Sequence, residues 1–259
     1  MPAATMLPSL PPEILDLVVK YLHDERTVLN ACSTVSKSWV PRARRYLFFR
    51  IEFSPESPIE LWIRTFPVPS SSPAHHARTL SFHDFTIVAA AVTHARPWIN
   101  AFHHIVHLQM KDVQWDDDPS QVSLVPFQGS FPILKSLSLK RCYIPAPEAL
   151  SFICSFPILK DLDLGLFFAS DETAIDEWNP PSISPEPTGT LHLAGKIRPV
   201  IPRLLNLPNF FRFSEITIVF DVHDVNLAND LVLKCSDSLE SLSIGYFLPS
   251  TFTLTPFVG

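Results

Sequence analysis

Clusters of histidine and aspartate are the parts of this 259-residue chain best suited to metal binding. His103 and His107 would share a face of a helix that continued through them, and imidazole is a common metal ligand. The aspartates at 116–118 could attract a divalent cation, which prefers oxygen ligands. However, no third ligand stands at a suitable spacing from the histidines, and no calcium-loop pattern surrounds the aspartates. We therefore predict no metal site.

Motifs for catalysis are missing from the sequence. With 6 glycines, the chain has neither a glycine-rich phosphate loop nor a serine nucleophile elbow. Aspartate directly follows His83 and His223, but neighbours on a strand point to opposite faces, which disfavours catalytic pairing. The four cysteines are scattered without a C-x-x-C pair. We predict a non-catalytic protein without a cofactor.

Composition limits the partners and the cellular compartment that we expect for this protein. The net charge is −6, and Arg42, Arg44 and Arg45 form the only tight basic run, so we expect no nucleic-acid binding. The longest apolar run, at 87–92, is too short to span a membrane. Scattered cysteines indicate a reducing compartment, so we predict a cytoplasmic or nuclear protein without a membrane partner.

Three short helices are predicted near the N-terminus. The first is expected from about Pro12 to Leu22, because proline suits a first helical turn and apolar residues recur at helical spacing. Asp24 and Ser36 are candidate caps for the second and third helices. Pro41 would be tolerated if the third helix begins near Trp39. So small a unit cannot bury all of its apolar surface, and the excess is a candidate docking site.

The segment from Leu10 to Ile51 resembles the F-box. It matches in the leading Leu-Pro, the Glu-Ile-Leu that follows, the Val-Ser-Lys-x-Trp at Val35 to Trp39 and the closing Leu-Phe. In that family the three helices dock on the Skp adaptor of a cullin-RING ubiquitin ligase, and the rest of the chain selects the substrate. The adaptor-contact residues that the resemblance implies are Leu10, Pro11, Ile14, Leu15, Val18, Leu29, Val35 and Trp39. Several of them could instead form the unit's own core.

Short leucine clusters recur through the rest of the chain. Their centres, which we call anchors, are Leu80, Leu108, Leu137, Leu162, Leu191, Ile216 and Leu242. Successive anchors lie 25 to 29 residues apart, as in leucine-rich repeats. Another apolar residue follows each anchor two positions later, which is typical of a strand with one buried face. The segment Leu134 to Ile144 matches the repeat's pattern, with Cys142 at its Asn-or-Cys position, and the whole resembles a degenerate leucine-rich repeat.

This alternation predicts an α/β fold with parallel strands on a concave face and helices and loops on a convex face. We predict an F-box-like module at 1–52, a linker at 53–76 and a solenoid at 77–259. The apolar C-terminal end of the solenoid lacks a polar cap, as expected of a truncated repeat domain. The predicted crossover helices are Thr86 to His94, Pro97 to Ile105, Pro147 to Ser155, Pro199 to Leu207 and Val225 to Cys235.

Residues flanking the anchors should form a polar sheet face, because strand side chains alternate between faces. Within it, the predicted partner-binding residues are His83, Lys111, Lys140, Asp161 and Asp163, which would bind a protein partner unless the face is merely solvated. We expect a substrate-recognition subunit of an SCF-type ubiquitin ligase that bridges a Skp-type adaptor, and through it cullin, to an unknown protein. The alternative is a leucine-rich interaction scaffold whose N-terminal helices cap the repeats.

Overall fold

The computed structural model describes residues 11–84, 86–87, 89–115, 127, 129–142, 144, 146–165, 185–195, 200–207, 212–220 and 225–246. Within these residues the chain is a mixed α/β protein with eight helices and an all-parallel sheet of eight strands. The helices are α1 Pro12–Tyr21, α2 Arg26–Val35, α3 Val40–Leu47, α4 Ile59–Thr65, α5 Ala89–Asn100, α6 Ala146–Cys154, α7 Ile201–Leu205 and α8 Val225–Cys235. The strands of the large sheet are β1 Arg50–Phe53, β2 Thr79–His83, β4 His107–Lys111, β6 Ser136–Lys140, β7 Asp161–Gly165, β8 Thr190–Ala194, β9 Glu215–Phe220 and β10 Ser241–Tyr246. Two short strands, β3 Thr86–Ile87 and β5 Gln114–Trp115, form a separate parallel pair.

The seven predicted anchors all lie on strands and pair with one another in register. Leu80 pairs with Leu108, Leu108 with Leu137, and so on to Ile216 with Leu242. The sheet follows chain order, so every strand pairs only with the strand before it and the strand after it. The predicted parallel arrangement of the seven strands is therefore confirmed.

An eighth strand, β1, extends the row at its N-terminal end. Ile51 pairs with Leu80 and Phe53 with Phe82, so β1 carries the same apolar pair as the other strands. Ile51 stands 29 residues before Leu80, a spacing that belongs to the same period. Neither this strand nor helix α4 is among the predicted elements, and the predicted boundary between residues 52 and 53 falls inside β1.

The main hydrophobic core lies between the sheet and the crossover helices. Buried anchors contact buried residues of α5, α6, α7 and α8, whereas alternate strand residues are half-buried or exposed in β4, β6, β7 and β8. At the N-terminal end of this core, Trp62 of α4 packs against Phe53 and Phe102 at ring-centroid distances of 6.1 and 5.6 Å. The helices thus cover one face of the sheet from β2 to β9, and the other face is polar. On β10 the last anchor, Leu242, and Ile244 remain exposed.

A recurring backbone contact begins nearly every strand. The carbonyl of the residue directly before one strand accepts two successive N–H groups at the start of the next strand. Val106 O accepts those of Lys135 and Ser136, and Lys135 O accepts those of Lys160 and Asp161. The exception is the β7–β8 pair, where Lys160 O accepts only the N–H of Gly189. There the N–H of Thr190 donates to the Asp161 carboxylate at 2.9 Å instead.

The strands also end in a common way. The residue after β2, β4, β6 and β8 has a positive φ, at Asp84, Asp112, Arg141 and Gly195. Each of these residues donates its N–H to the last residue, or the last but one, of the next strand, as from Asp112 to Lys140 O at 2.9 Å. The repeat in the sequence is therefore also a repeat in backbone conformation.

Several predicted helix limits need correction. Asp24 does not cap α2, because the helix begins at Arg26 and its N-cap residue is Glu25. The Asp24 carboxylate contacts the His23 ring instead. Ser36 does not cap α3, which begins after Trp39 with Pro41 in its first turn, as predicted for that proline. The proposed helices at 86–94 and 97–105 are one helix, α5, which contains Pro97.

Candidate functional site

The three N-terminal helices form a unit with its own small core. Leu15 and Val19 of α1, Leu29 and Cys32 of α2 and Ala43 of α3 are buried, and they are separate from the main core. Both α1 and α2 pack on α3, and Arg42 of α3 donates to Asp16 of α1 at 2.6 Å. We call residues 12–47 the helical unit. It joins the rest of the molecule through α3, which contacts the 3₁₀ turn Pro73–His76.

Large apolar side chains remain exposed on α1 and α2. On α1, Ile14, Leu17 and Tyr21 follow one another at helical spacing and are 43%, 50% and 85% exposed. On α2, Val28 and Val35 are also exposed. We call these five residues the helical apolar face. Exposed apolar side chains that recur on one helix face, next to a packed interior, are typical of a binding surface.

The predicted adaptor residues divide between this surface and the unit's core. Pro11, Ile14 and Val35 are exposed, whereas Leu15 and Leu29 are buried. Val18 and Trp39 are half-buried, and Leu10 lies outside the described residues. Leu17, Tyr21 and Val28 belong to the exposed set but were not among the predicted contacts. Their spacing on the helices was the signal that could have found them.

On the polar sheet face, Asp163 of β7 accepts three donors from its two neighbouring strands, β6 and β8. Its carboxylate lies 2.6 Å from Nδ1 of His192, 2.8 Å from Nζ of Lys140 and 3.0 Å from Oγ of Ser138. The register explains this convergence, since Asp163 is paired with Ser138 on one side and His192 on the other. The structure therefore brings Lys140 and Asp163 together and adds His192 and Ser138, which the prediction had placed only on the face in general.

This cluster is not a nucleophile relay. In such a relay the serine hydroxyl donates to the imidazole, which is oriented by the carboxylate. Here Ser138 donates to the carboxylate itself, and it makes no hydrogen bond to His192. The geometry is that of a cross-strand polar contact, which ties β6, β7 and β8 together on their exposed side.

The other predicted partner-binding residues have different surroundings. Asp161 is hydrogen-bonded to Thr190. One carboxylate oxygen of Asp161 accepts both the Thr190 N–H and the Thr190 hydroxyl, whose Oγ1 lies 3.2 Å away. Lys111 pairs in register with Lys140, and neither Lys111 nor His83 forms an ion pair with any described residue. Lys111 is thus the charged group of this set left for a partner.

The histidines considered for metal binding are held apart by the fold. His107 begins β4, while His103 and His104 lie in the turn after α5. His104 Nδ1 lies 2.9 Å from the backbone carbonyl of His75. Among the described residues there is no group of three or more His, Cys, Asp or Glu that could hold a metal. Both the aspartates at 116–118 and the pair at 223–224 lie outside those residues.

The four cysteines are free and buried. Burial raises the pKa of the Cys142 and Cys154 thiols to about 12, and it also raises the pKa of Cys235. Cys142 sits at the repeat's Asn-or-Cys position, where its Sγ lies 3.3 Å from Met110 O of the preceding strand. Thiols with such a raised pKa are poor nucleophiles, because the thiolate is the reactive form.

No family model matches this chain, and a search of the curated proteins finds no match either. Within the described part of the chain, no helix is long and apolar enough to cross a membrane.

Proposed function

We propose that this protein is a substrate-recognition subunit of an SCF-type cullin-RING ubiquitin ligase. In this role the helical unit docks on a Skp-type adaptor, and the row of strands, a leucine-rich solenoid, holds a protein target. The observation that carries the proposal is the exposed helical apolar face on a unit that packs a separate core. The resemblance of residues 10–51 to the F-box supports it.

Docking would remove exposed apolar area from water. Full burial of a Leu, Ile or Val side chain stabilises by about 1.5–3 kcal/mol, so half-exposed side chains contribute part of that each. Tyr21 and Val35 have the largest exposed fractions of the five residues. Aromatic anchors often dominate interfaces, which favours Tyr21 as a central contact.

Capping of the repeats is the alternative role for the helical unit. A cap would bury its apolar residues against the first strand. Support for docking comes from the packing around β1. There Trp62 and Phe66, which follow the strand in the chain, pack against Phe48 and Phe53 and cover the end of the core. With the end of the core covered from there, Ile14 and Leu17 stay in solvent.

The mechanism is proximity and requires no catalytic group in this chain. A receptor that holds its target near a ubiquitin-loaded enzyme raises the effective concentration of the target lysine. Lys111, with no carboxylate partner among the described residues, is one charge on the polar sheet face that a target can pair with.

The test is capture of a Skp-type adaptor by the tagged full chain, compared with Ile14→Asp combined with Leu17→Asp. Both residues are exposed, so the double variant should keep the far-ultraviolet circular dichroism and the melting temperature of the wild type. We expect it to lose the adaptor. Leu15→Asp is unsuitable, because Leu15 is 5% exposed and a buried charge there would unfold the unit.

Lys111→Glu is the matched control, since it reverses a charge on the sheet while leaving the helical unit intact. It should retain the adaptor and change the other proteins captured. If the wild-type chain captures no Skp-type adaptor, or if the folded double variant captures as much as the wild type, the proposal is wrong.

A further inference from the structure

A pocket of about 680 Å³ lies where the helical unit meets the sheet. Its volume falls within the roughly 300–1,000 Å³ typical of small-molecule sites. Six parts of the chain build it: α1, α3, the residue before β1, the 3₁₀ turn Pro73–His76, the residue before β2 and the turn after α5. Its basic side chains are Arg42, Arg45, Arg78, His75, His76 and His104. We call it the arginine pocket.

Positive charge in the arginine pocket is not balanced by acidic residues. Among the described residues that line it, Asp16 is the one carboxylate, and it is already paired with Arg42 at 2.6 Å. Arg45 makes no side-chain hydrogen bond or ion pair with any described residue. The Arg78 guanidinium donates only to the backbone carbonyls of His75 and Ala77, at 3.3 and 3.1 Å. Two guanidinium groups therefore face the pocket without an anion, in a chain whose net charge is −6.

Two of the three histidines in the pocket are held in place by the backbone. His75 Nδ1 lies 3.1 Å from Ser72 O, and His104 Nδ1 lies 2.9 Å from His75 O. These contacts use Nδ1 of each ring and leave Nε2 as the polar atom for a ligand. Burial, followed by the positive charges of His75, Arg45, Arg78 and Arg44, lowers the pKa of His76. A bound anion would relieve that repulsion.

We propose that the arginine pocket binds a small-molecule anion that carries phosphate. Guanidinium groups form paired hydrogen bonds with phosphate oxygens, and the planar fork of arginine makes it a preferred residue for this purpose. Arg45 and Arg78 approach from two different elements, which suits a tetrahedral group that presents oxygens in several directions. A volume of about 680 Å³ suits a small molecule better than an extended chain.

Such a ligand would touch both halves of the molecule. Arg45 belongs to α3 of the helical unit, whereas Arg78 directly precedes β2 of the sheet. A phosphate held between them would fix the orientation of the helical apolar face relative to the polar sheet face. The site does not depend on adaptor docking, because none of the five residues of the helical apolar face lines the pocket.

The experiment is calorimetric titration of the full chain with pyrophosphate at about 0.15 M salt, where loosely attracted ions are screened. We expect saturable binding by the wild type. Arg45→Gln and Arg78→Gln should each weaken it roughly tenfold or more, since each removes charged hydrogen bonds. Arg64→Gln is the matched control: Arg64 is an exposed arginine of α4 that lies outside the pocket. It should bind as the wild type does.

Absence of saturable pyrophosphate binding, or wild-type affinity in Arg45→Gln, would overturn the site. Arg45 is exposed, so its variant tests the proposal even if Arg78→Gln folds poorly. Succinate separates phosphate from carboxylate recognition, and equal affinity for both would overturn the phosphate assignment. A phosphoserine peptide that binds more tightly than pyrophosphate would overturn the small-molecule assignment. The Ile14→Asp and Leu17→Asp variant should bind pyrophosphate normally, which separates this result from the adaptor test.

Discussion

The Asp163 carboxylate of β7 ties its strand to both neighbours on the polar sheet face, through Ser138 and Lys140 of β6 and His192 of β8. Alternation along β7 was enough to place its side chain on the polar face, and repeat spacing brought Lys140 near it. The contact with His192 depends on the register between β7 and β8, which are separated by a long segment of chain. Because register is fixed by three-dimensional pairing, the sequence could name the face but not this contact.

Buried thiols give a prediction for alkaline pH. The folded chain holds the pKa of Cys142 and Cys154 at about 12, above the value of 9.0 for a free thiol. Their contribution to the free energy of unfolding is thus complete below pH 9 and is lost as the pH rises from 9 toward 12. We expect each thiol to remove roughly 1 kcal/mol per pH unit between about pH 9.5 and 10.5.

Urea unfolding of the wild type at several pH values between 8 and about 10.5 measures this loss. Cys142→Ala and Cys154→Ala leave cavities and lower the stability at every pH. What should distinguish them is a shallower alkaline decline than in the wild type. Parallel curves for all three proteins would contradict the assignment.

At the scale of elements, the hydrophobic period carried most of the prediction. Two apolar residues per strand, recurring at the repeat spacing, determined all seven anchors, and α8 was predicted with its observed limits. The sequence does not predict strand β1, because Ile51 and Phe53 follow closely after a helical segment and resemble its C-terminal end. The sequence predicts that a new helix starts at Pro97, but this proline lies in the second half of the single helix α5. Local rules of this kind yield to packing against the sheet.

Gly189 tests the unusual start of β8. A Cβ atom at this position would overlap the Asp161 carboxylate, which accepts the Thr190 N–H. Gly189→Ala should therefore displace the carboxylate and lower the free energy of unfolding by about 1–3 kcal/mol, as overpacking does. Chemical unfolding monitored by circular dichroism measures the change.

Gly165→Ala is the matched control, because a Cβ there would lie at an ordinary 3.7 Å from Lys140. It should change the stability by less than about 0.5 kcal/mol. Adding Asp161→Ala to Gly189→Ala should make the two substitutions non-additive, since they share one contact. Equal losses for the two glycine variants would show that the Asp161 contact is not the cause.

At the scale of the whole molecule, two hydrophobic cores share one chain. The helical unit encloses Leu29, which is 1% exposed, and the main core encloses Leu137, which is fully buried. Because buried residues of the two groups do not form one cluster, the two parts should open separately. A Leu→Ala substitution in a core costs about 2–5 kcal/mol, enough to open a unit as small as α1–α3.

Hydrogen exchange followed by mass spectrometry separates the two parts. Leu29→Ala should accelerate exchange in residues 12–47 and leave the amides of β4, β6 and β7 protected. Leu137→Ala should do the reverse. Loss of protection in β6 upon Leu29→Ala would mean that the two cores unfold as one.

The row of strands also has a seam. Each strand is held only by its two neighbours, so the sheet resists separation no better than its least-paired junction. At β7 and β8 the register covers three residue pairs, Leu162 to Leu164 with Leu191 to Leu193, and a side chain replaces a backbone acceptor at the strand start. Under tension along the row, the sheet would part there, leaving β1 to β7 on one side and β8 to β10 on the other. The His192–Asp163 contact joins β7 to β8, so it strengthens the sheet at the pair of strands that would separate first.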